Sequence, residues 1–226
     1  MTKAISTAES RTAIFGRLRA AGDASPLPGL DMAVLERRSW SPAERVVRLR
    51  KGMEVVHTEF LEATPKNWPA VVHAFCEQEH LKNLLFGPTS QVGAALAAAW
   101  ETGSTQLMPY DRPVEAFKQE LFTGVDAGFT GTVGGVAETG GLLLMPGQDE
   151  PRLLSLVPPI HIALLRASTI QDSFWSAVKA LGWGRSLPPN ALLISGPSKT
   201  ADIEQTLAYG VHGPKRLIVV LVNDLP

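Results

Sequence analysis

Apolar and polar residues along the chain follow the helical period in some segments and run as short apolar blocks in others. In Ser6–Ala21, Ile14 and Leu18 stand four apart behind Ser6 and Glu9. That S-x-x-E spacing lets each residue satisfy a free backbone donor at a helix start, so the segment reads as a helix ended by Gly22. Asp23 to Pro42 carries Pro26, Pro28, Gly29 and Pro42 without a sustained period and reads as a linker or draped arm. The compact body is expected to start near Ser41. From there helix Pro42–Lys51, a β-prone run Val55–Leu61, helix Pro65–His80, strand Asn83–Phe86, helix Ser90–Glu101, strand Thr105–Pro109 and a short helix near Glu115 succeed one another. After a glycine-rich stretch come strand His161–Leu165, helix Asp172–Leu181, strand Ala191–Ile194, helix Ala201–Tyr209 and strand Arg216–Val222. Parallel pairing follows from this alternation, because a parallel pair needs a crossover long enough to hold a helix. The late strands are continuous apolar runs, the pattern of strands buried on both faces. The reading is an α/β domain over 41–226 with a mostly parallel sheet, preceded by an N-terminal helical arm over 1–40.

Composition narrows the function classes. With 226 residues, 45% of them hydrophobic, the chain can bury a sizeable core. No apolar run approaches the roughly 18 residues of a membrane span. A formal net charge of -1 provides no global field for nucleic-acid phosphates. The single cysteine, Cys76, can form neither an internal disulfide nor an iron–sulfur cluster on this chain. Met1–Ser10 has no apolar core of signal-peptide length, so the cytoplasm is the expected compartment.

Chemistry concentrates in a few places. Ser195, Gly196, Ser198, Lys199 and Thr200 form a small polar loop between an expected strand and an expected helix. At the carboxyl edge of a parallel sheet such a loop can hold an anion on the N–H groups of the helix start, with Lys199 adding charge. It is neither a Walker A loop, since Ser198 stands where glycine must precede the lysine, nor G-x-G-x-x-G, so the cofactor stays open. Eight glycines lie between Thr123 and Gly147. Within that stretch Gly134, Gly135 and Thr139 are candidate ligand contacts and Glu138 a candidate acid or base, its carboxylate expected among small residues. Gly87, ending the strand Asn83–Phe86, is a further candidate contact. His161 opens a strand, and His212 sits in Gly210–Pro214; either can serve as a base, or His212 can simply complement a helix end. His73, Cys76 and His80 share one helix with metal-like spacing, yet they project away from its apolar stripe toward solvent, and no metal site is assigned.

Four ordered motifs carry a resemblance: Ala137-Glu138-Thr139-Gly140, the run Arg152 to Leu164, the run Ser195 to Glu204, and Gly210-Val211-His212-Gly213-Pro214. Together they resemble the LUD domain family, in particular its lactate-utilisation protein C (LutC, YkgG) group. The resemblance implies a three-layer α/β/α sandwich like the NagB/RpiA/CoA-transferase superfamily. It also implies a place beside iron–sulfur proteins that oxidise L-lactate to pyruvate; in that setting the Ser195–Thr200 loop is expected to bind a small organic anion or phosphate-bearing ligand at the sheet edge. The alternatives are a stand-alone enzyme acting on a phosphosugar, folate or CoA thioester, and a non-catalytic assembly module.

Overall fold

The computed structural model describes residues 7–20, 33–201, 207–209 and 212–225. The chain divides into residues 1–34 and 35–226. In the first, Thr7–Ala20 forms α1, with Ile14, Phe15 and Leu18 exposed; Ser6 of the expected capping pair lies outside the described residues. Ala33–Glu36 forms α2. Pro42–Glu54 (α3) begins with a reciprocal cap. Ser41 Oγ accepts from the Glu44 N–H at 3.3 Å, and the Glu44 carboxylate accepts from the Ser41 N–H at 2.8 Å. The residues just before α3 are tied to the body by side-chain and backbone contacts. Trp40 N–H donates to Asp172 Oδ1 at 2.8 Å, Lys179 pairs with Glu36 at 2.8 Å, and Arg38 pairs with Glu138. Composition hides these anchors, because two of the partners stand 132 and 143 residues away.

The main sheet has six strands: β1 (Glu59–Ala63), β2 (Asn83–Phe86), β3 (Gln106–Pro109), β4 (Ala127–Gly131), β7 (Ile160–Arg166) and β12 (Arg216–Val222). Their order is β1-β12-β7-β4-β2-β3, with every ladder parallel. Alternation along each strand sends side chains to two cores. Ile162, Leu164, Ile218, Val220 and Phe129 meet α4 (Trp68–Gln78) and α5 (Gln91–Ala98) on one face. Ala163, Leu165, Leu217, Val219 and Leu221 meet Leu49 and Met53 of α3 on the other. Leu85 on that same side packs against Phe117 and Leu121 of α6 (Val114–Thr123) and Leu154 of α7 (Leu153–Leu156).

The glycine-rich stretch builds a second sheet of four strands. These are β5 (Gly134–Val136), β6 (Gly141–Leu144), β8 (Ile170–Gln171) and β9 (Leu192–Ile194), in the order β8-β5-β6-β9. The helix α8 (Phe174–Ala180) follows β8, and Ala177 packs with Val136 and Leu143. The turn from β5 to β6 needs glycine at 140: φ is +65°, and a Cβ there would lie 2.9 Å from Gly52 Cα in α3. Two expectations are corrected here. Ala191–Ile194 does not supply a strand buried on both faces, since β9 is an antiparallel edge strand with Leu193 half exposed. Nor is Ala201–Tyr209 a helix. Lys199–Ala201 (β10) and Leu207–Tyr209 (β11) pair antiparallel, with Thr200 opposite Ala208; residues 202–206 lie outside the described residues.

Candidate functional site

His161 is the second residue of β7 and stands opposite Leu217, the second residue of β12. Both therefore lie at the amino edge of the parallel sheet. Strand alternation puts the imidazole on the face of Ala163 and Leu165, beside the second sheet. There a cavity of about 200 Å³ opens, walled by Ser155, His161, Ser195, Ser198, His212 and Leu217, with Gly196 and Gly213 in its lining. The loop after β9 is held against the chain entering β12 by the Ser198 N–H, which donates to Pro214 O at 2.8 Å. Small residues permit the closeness: a Cβ at Gly196 would lie 2.7 Å from Val56 Cγ2, and one at Gly213 would lie 3.2 Å from Ser198 Cβ.

His161 is 1% exposed, and its Nε2 lies 2.9 Å from Oγ1 of Thr130, which is itself buried on β4. Burial without a compensating charge pushes the imidazole pKa down to about 3. At neutral pH the ring is therefore uncharged and has one donor and one acceptor nitrogen, and the Thr130 hydroxyl can pair with Nε2 in either tautomer. Ser155 is buried in the same wall, its hydroxyl donating to Arg152 O at 3.1 Å. His212 is exposed at the rim. A cavity with these walls offers hydroxyls and a neutral imidazole, which suits hydrogen bonding to a small polar molecule better than proton abstraction by a charged base.

Five of the residues expected from sequence, His161, His212, Ser195, Gly196 and Ser198, come together here. The others do not. Lys199 is exposed on β10 and is not in the cavity wall; Thr200 lies in the same strand. With no helix starting at Ala201, the expected anion cradle of helical N–H groups does not form. The loop also sits at the amino edge of the parallel sheet, not the carboxyl edge, because β9 belongs to the second sheet. Glu138 and Thr139 are exposed in the β5–β6 turn, and Glu138 pairs with Arg38 instead of being enclosed by small residues. Gly134 and Gly135 pack in the core, where a Cβ at Gly135 would lie 2.5 Å from Leu49 Cδ1. Gly87 follows β2 at the opposite edge. Cys76 is fully buried in the core and does not face solvent; burial pushes its thiol up to about 12. Among the described residues no group of three His, Cys, Asp or Glu side chains is placed to hold a metal ion. Sequence reasoning passed over Thr130 and Ser155; the available signal was a lone hydroxyl inside an apolar run, Leu153-Leu154-Ser155-Leu156.

Comparison with known proteins supplies the family. The LUD domain model matches residues 46–222. An uncharacterized protein of Neisseria meningitidis serogroup B is 40% identical over 186 residues, covering 81% of this chain and 80% of its own. Lactate utilization protein C 1 of Bacillus mycoides is 28% identical over 187 residues, 80% of each chain. YkgG of Escherichia coli is 36% identical over 94 residues, 40% of this chain and 41% of its own. The crystal structure of a DUF162 family protein from Deinococcus radiodurans superposes with a TM-score of 0.62 at 21% identity, covering 81% of this chain and 99% of that one, and shares the fold. With the domain model spanning both sheets and the motifs from Ala137 to Pro214, the chain belongs to the LUD domain family, and its relatives support a LutC-like role in lactate utilisation.

Proposed function

We propose that the chain is the LutC-like component of an iron–sulfur lactate-utilisation system and that the His161 cavity binds the small acid. The observation that carries this reading is the cavity itself. Its 200 Å³ equals roughly six or seven water volumes, the scale of a three-carbon hydroxy or keto acid. In this reading Ser198 and Ser195 hydroxyls donate to the carboxylate, neutral His161 hydrogen-bonds the 2-hydroxy or 2-keto oxygen, and His212 stands at the rim. One cysteine cannot hold an iron–sulfur cluster, so in this reading any cluster would sit on partner proteins.

A thermal-shift panel tests it, with lactate, pyruvate, phosphosugars, nucleotides, folates and CoA esters run against the wild-type chain and His161→Gln. At 100 times its Kd a ligand adds about 2.7 kcal/mol, or roughly 5 to 10 °C for a domain of this size. Lactate or pyruvate should raise Tm in the wild type and not in His161→Gln. A response confined to CoA esters, folates or phosphosugars would overturn the reading in favour of a stand-alone enzyme; a silent panel would favour an assembly module.

A further inference from the structure

A second crevice lies at the carboxyl edge of the sheet, across the molecule's strands from His161. The chain leaves β2 through α5 to reach β3 on one side, and leaves the neighbouring β4 through the second sheet and α7 to reach β7 on the other. Departures in opposite directions from adjacent strands open a gap between their carboxyl ends, the place where open parallel sheets bind ligands.

In this protein a carboxylate of the chain itself fills the gap. The N–H of Gly131, the last residue of β4, donates to both oxygens of Glu150, at 3.0 and 3.1 Å, with the Ser90 side chain beside them. Next to Glu150, Asp149 Oδ1 accepts from Thr89 Oγ1 at 2.6 Å. The Asp149 carbonyl oxygen occupies the space of a side chain at residue 87, only 1.9 Å from where a Cβ would be, so Gly87 is what lets the segment close. Beyond this clasp the segment touches little: Gly147 has open space around it and Met145 is half exposed. Beside the clasp lies a surface cavity of about 590 Å³, walled by Thr89, Tyr110, Asp111, Arg112, Gln148 and Pro151; neither Gly131 nor Glu150 is in its wall.

We propose that Glu150 is an internal stand-in for a ligand's carboxylate. The Gly131 N–H and Ser90 form the seat, residues 145–151 form a latch over it, and the carboxylate of a ligand takes the seat when the latch lifts. Burial and the neighbouring Asp149 charge raise the Glu150 carboxyl above its ordinary range, while the Gly131 N–H and Ser90 pull it back. The site lies at the opposite sheet edge from the His161 cavity, so its test stands or falls separately from the lactate reading.

The test follows the Gly131 amide by NMR while acetate, and in a second arm inorganic phosphate, is titrated into the wild type, Glu150→Ala and Thr89→Val. In Glu150→Ala the seat is empty, and acetate should move the Gly131 amide saturably at a Kd at least tenfold below wild type. Thr89→Val loosens the latch and leaves the seat, so it should fall between. A folded Glu150→Ala whose Gly131 amide ignores acetate, or binds it no better than wild type, overturns the proposal and leaves Glu150 a loop clasp. If Glu150→Ala does not fold, Thr89→Val decides: tighter acetate supports the latch, unchanged acetate refutes it. Phosphate binding as tightly as acetate would overturn the carboxylate assignment.

Discussion

Neutral burial of His161 makes the protein lose stability in mild acid, and the size of the loss follows from the two protonation constants. An unfolded histidine protonates near pH 6.5, whereas the folded ring stays neutral until about 3. Between those values the unfolded chain binds a proton that the native chain refuses, so the contribution is complete above pH 6.5 and is withdrawn as pH falls toward 3. At pH 5 the withdrawal amounts to about 2 kcal/mol, at 1.36 kcal/mol per pK unit. For a domain of this size that is roughly 4 to 8 °C in Tm. The assay is urea unfolding from pH 8 to pH 5 on the wild type and His161→Gln, whose amide can still reach Thr130 and does not titrate. Other titrating groups act in both proteins and cancel in the difference. The wild type should lose about 2 kcal/mol more than the variant over this range. Parallel pH profiles, or an NMR titration placing His161 near 6.5, would refute the claim that the ring is buried and neutral.

Other consequences are as direct. Gly140→Ala forces a side chain onto a positive φ and against the Gly52 backbone, and should cost about 2 kcal/mol or more, whereas Gly147→Ala meets open space and should be neutral or slightly stabilising; paired urea curves decide. Arg45 Nε and Nη2 donate to Asp172 at 2.9 and 3.0 Å, and Asp172 also receives the Trp40 N–H. Asp172→Asn should therefore lower stability by about 2 kcal/mol, less than a fully buried pair because the arginine keeps some solvent. Cys76 should resist an aromatic disulfide reagent at pH 8 and react at once when urea is added, since its thiolate forms only near pH 12 in the fold.

Most of the parallel sheet was legible because strands such as Asn83–Phe86 and Arg216–Val222 are short apolar blocks between helical periods, whereas β4, Ala127–Gly131, was hidden in the glycine-rich stretch. The second sheet was not legible. Gly134-Gly135-Val136 has too few side chains to show a strand period, and β8 and β9, which complete the sheet around the β5–β6 hairpin, are contributed by distant segments. The helix expected at Ala201–Tyr209 failed because Ala, Leu and Glu favour a helix locally, while the ladder from Lys199 to Tyr209 is a tertiary choice that propensity does not contain. At the site, His161, His212 and Ser198 stood out by residue type. Their meeting at the amino edge depends on β9 leaving the parallel sheet, which no local pattern announces. Glu150 was invisible for a related reason: its partner, the Gly131 N–H, stands 19 residues away.

The central claim is that a three-carbon acid enters the His161 cavity. The most direct measurement is a titration of the chain, labelled with ¹⁵N in its imidazole rings, with pyruvate and lactate at pH 7. The account predicts that the His161 and His212 ring nitrogens shift together along one saturable curve, with His73 and His80 unmoved. Saturable binding that leaves His161 unmoved would place the ligand elsewhere and contradict the account.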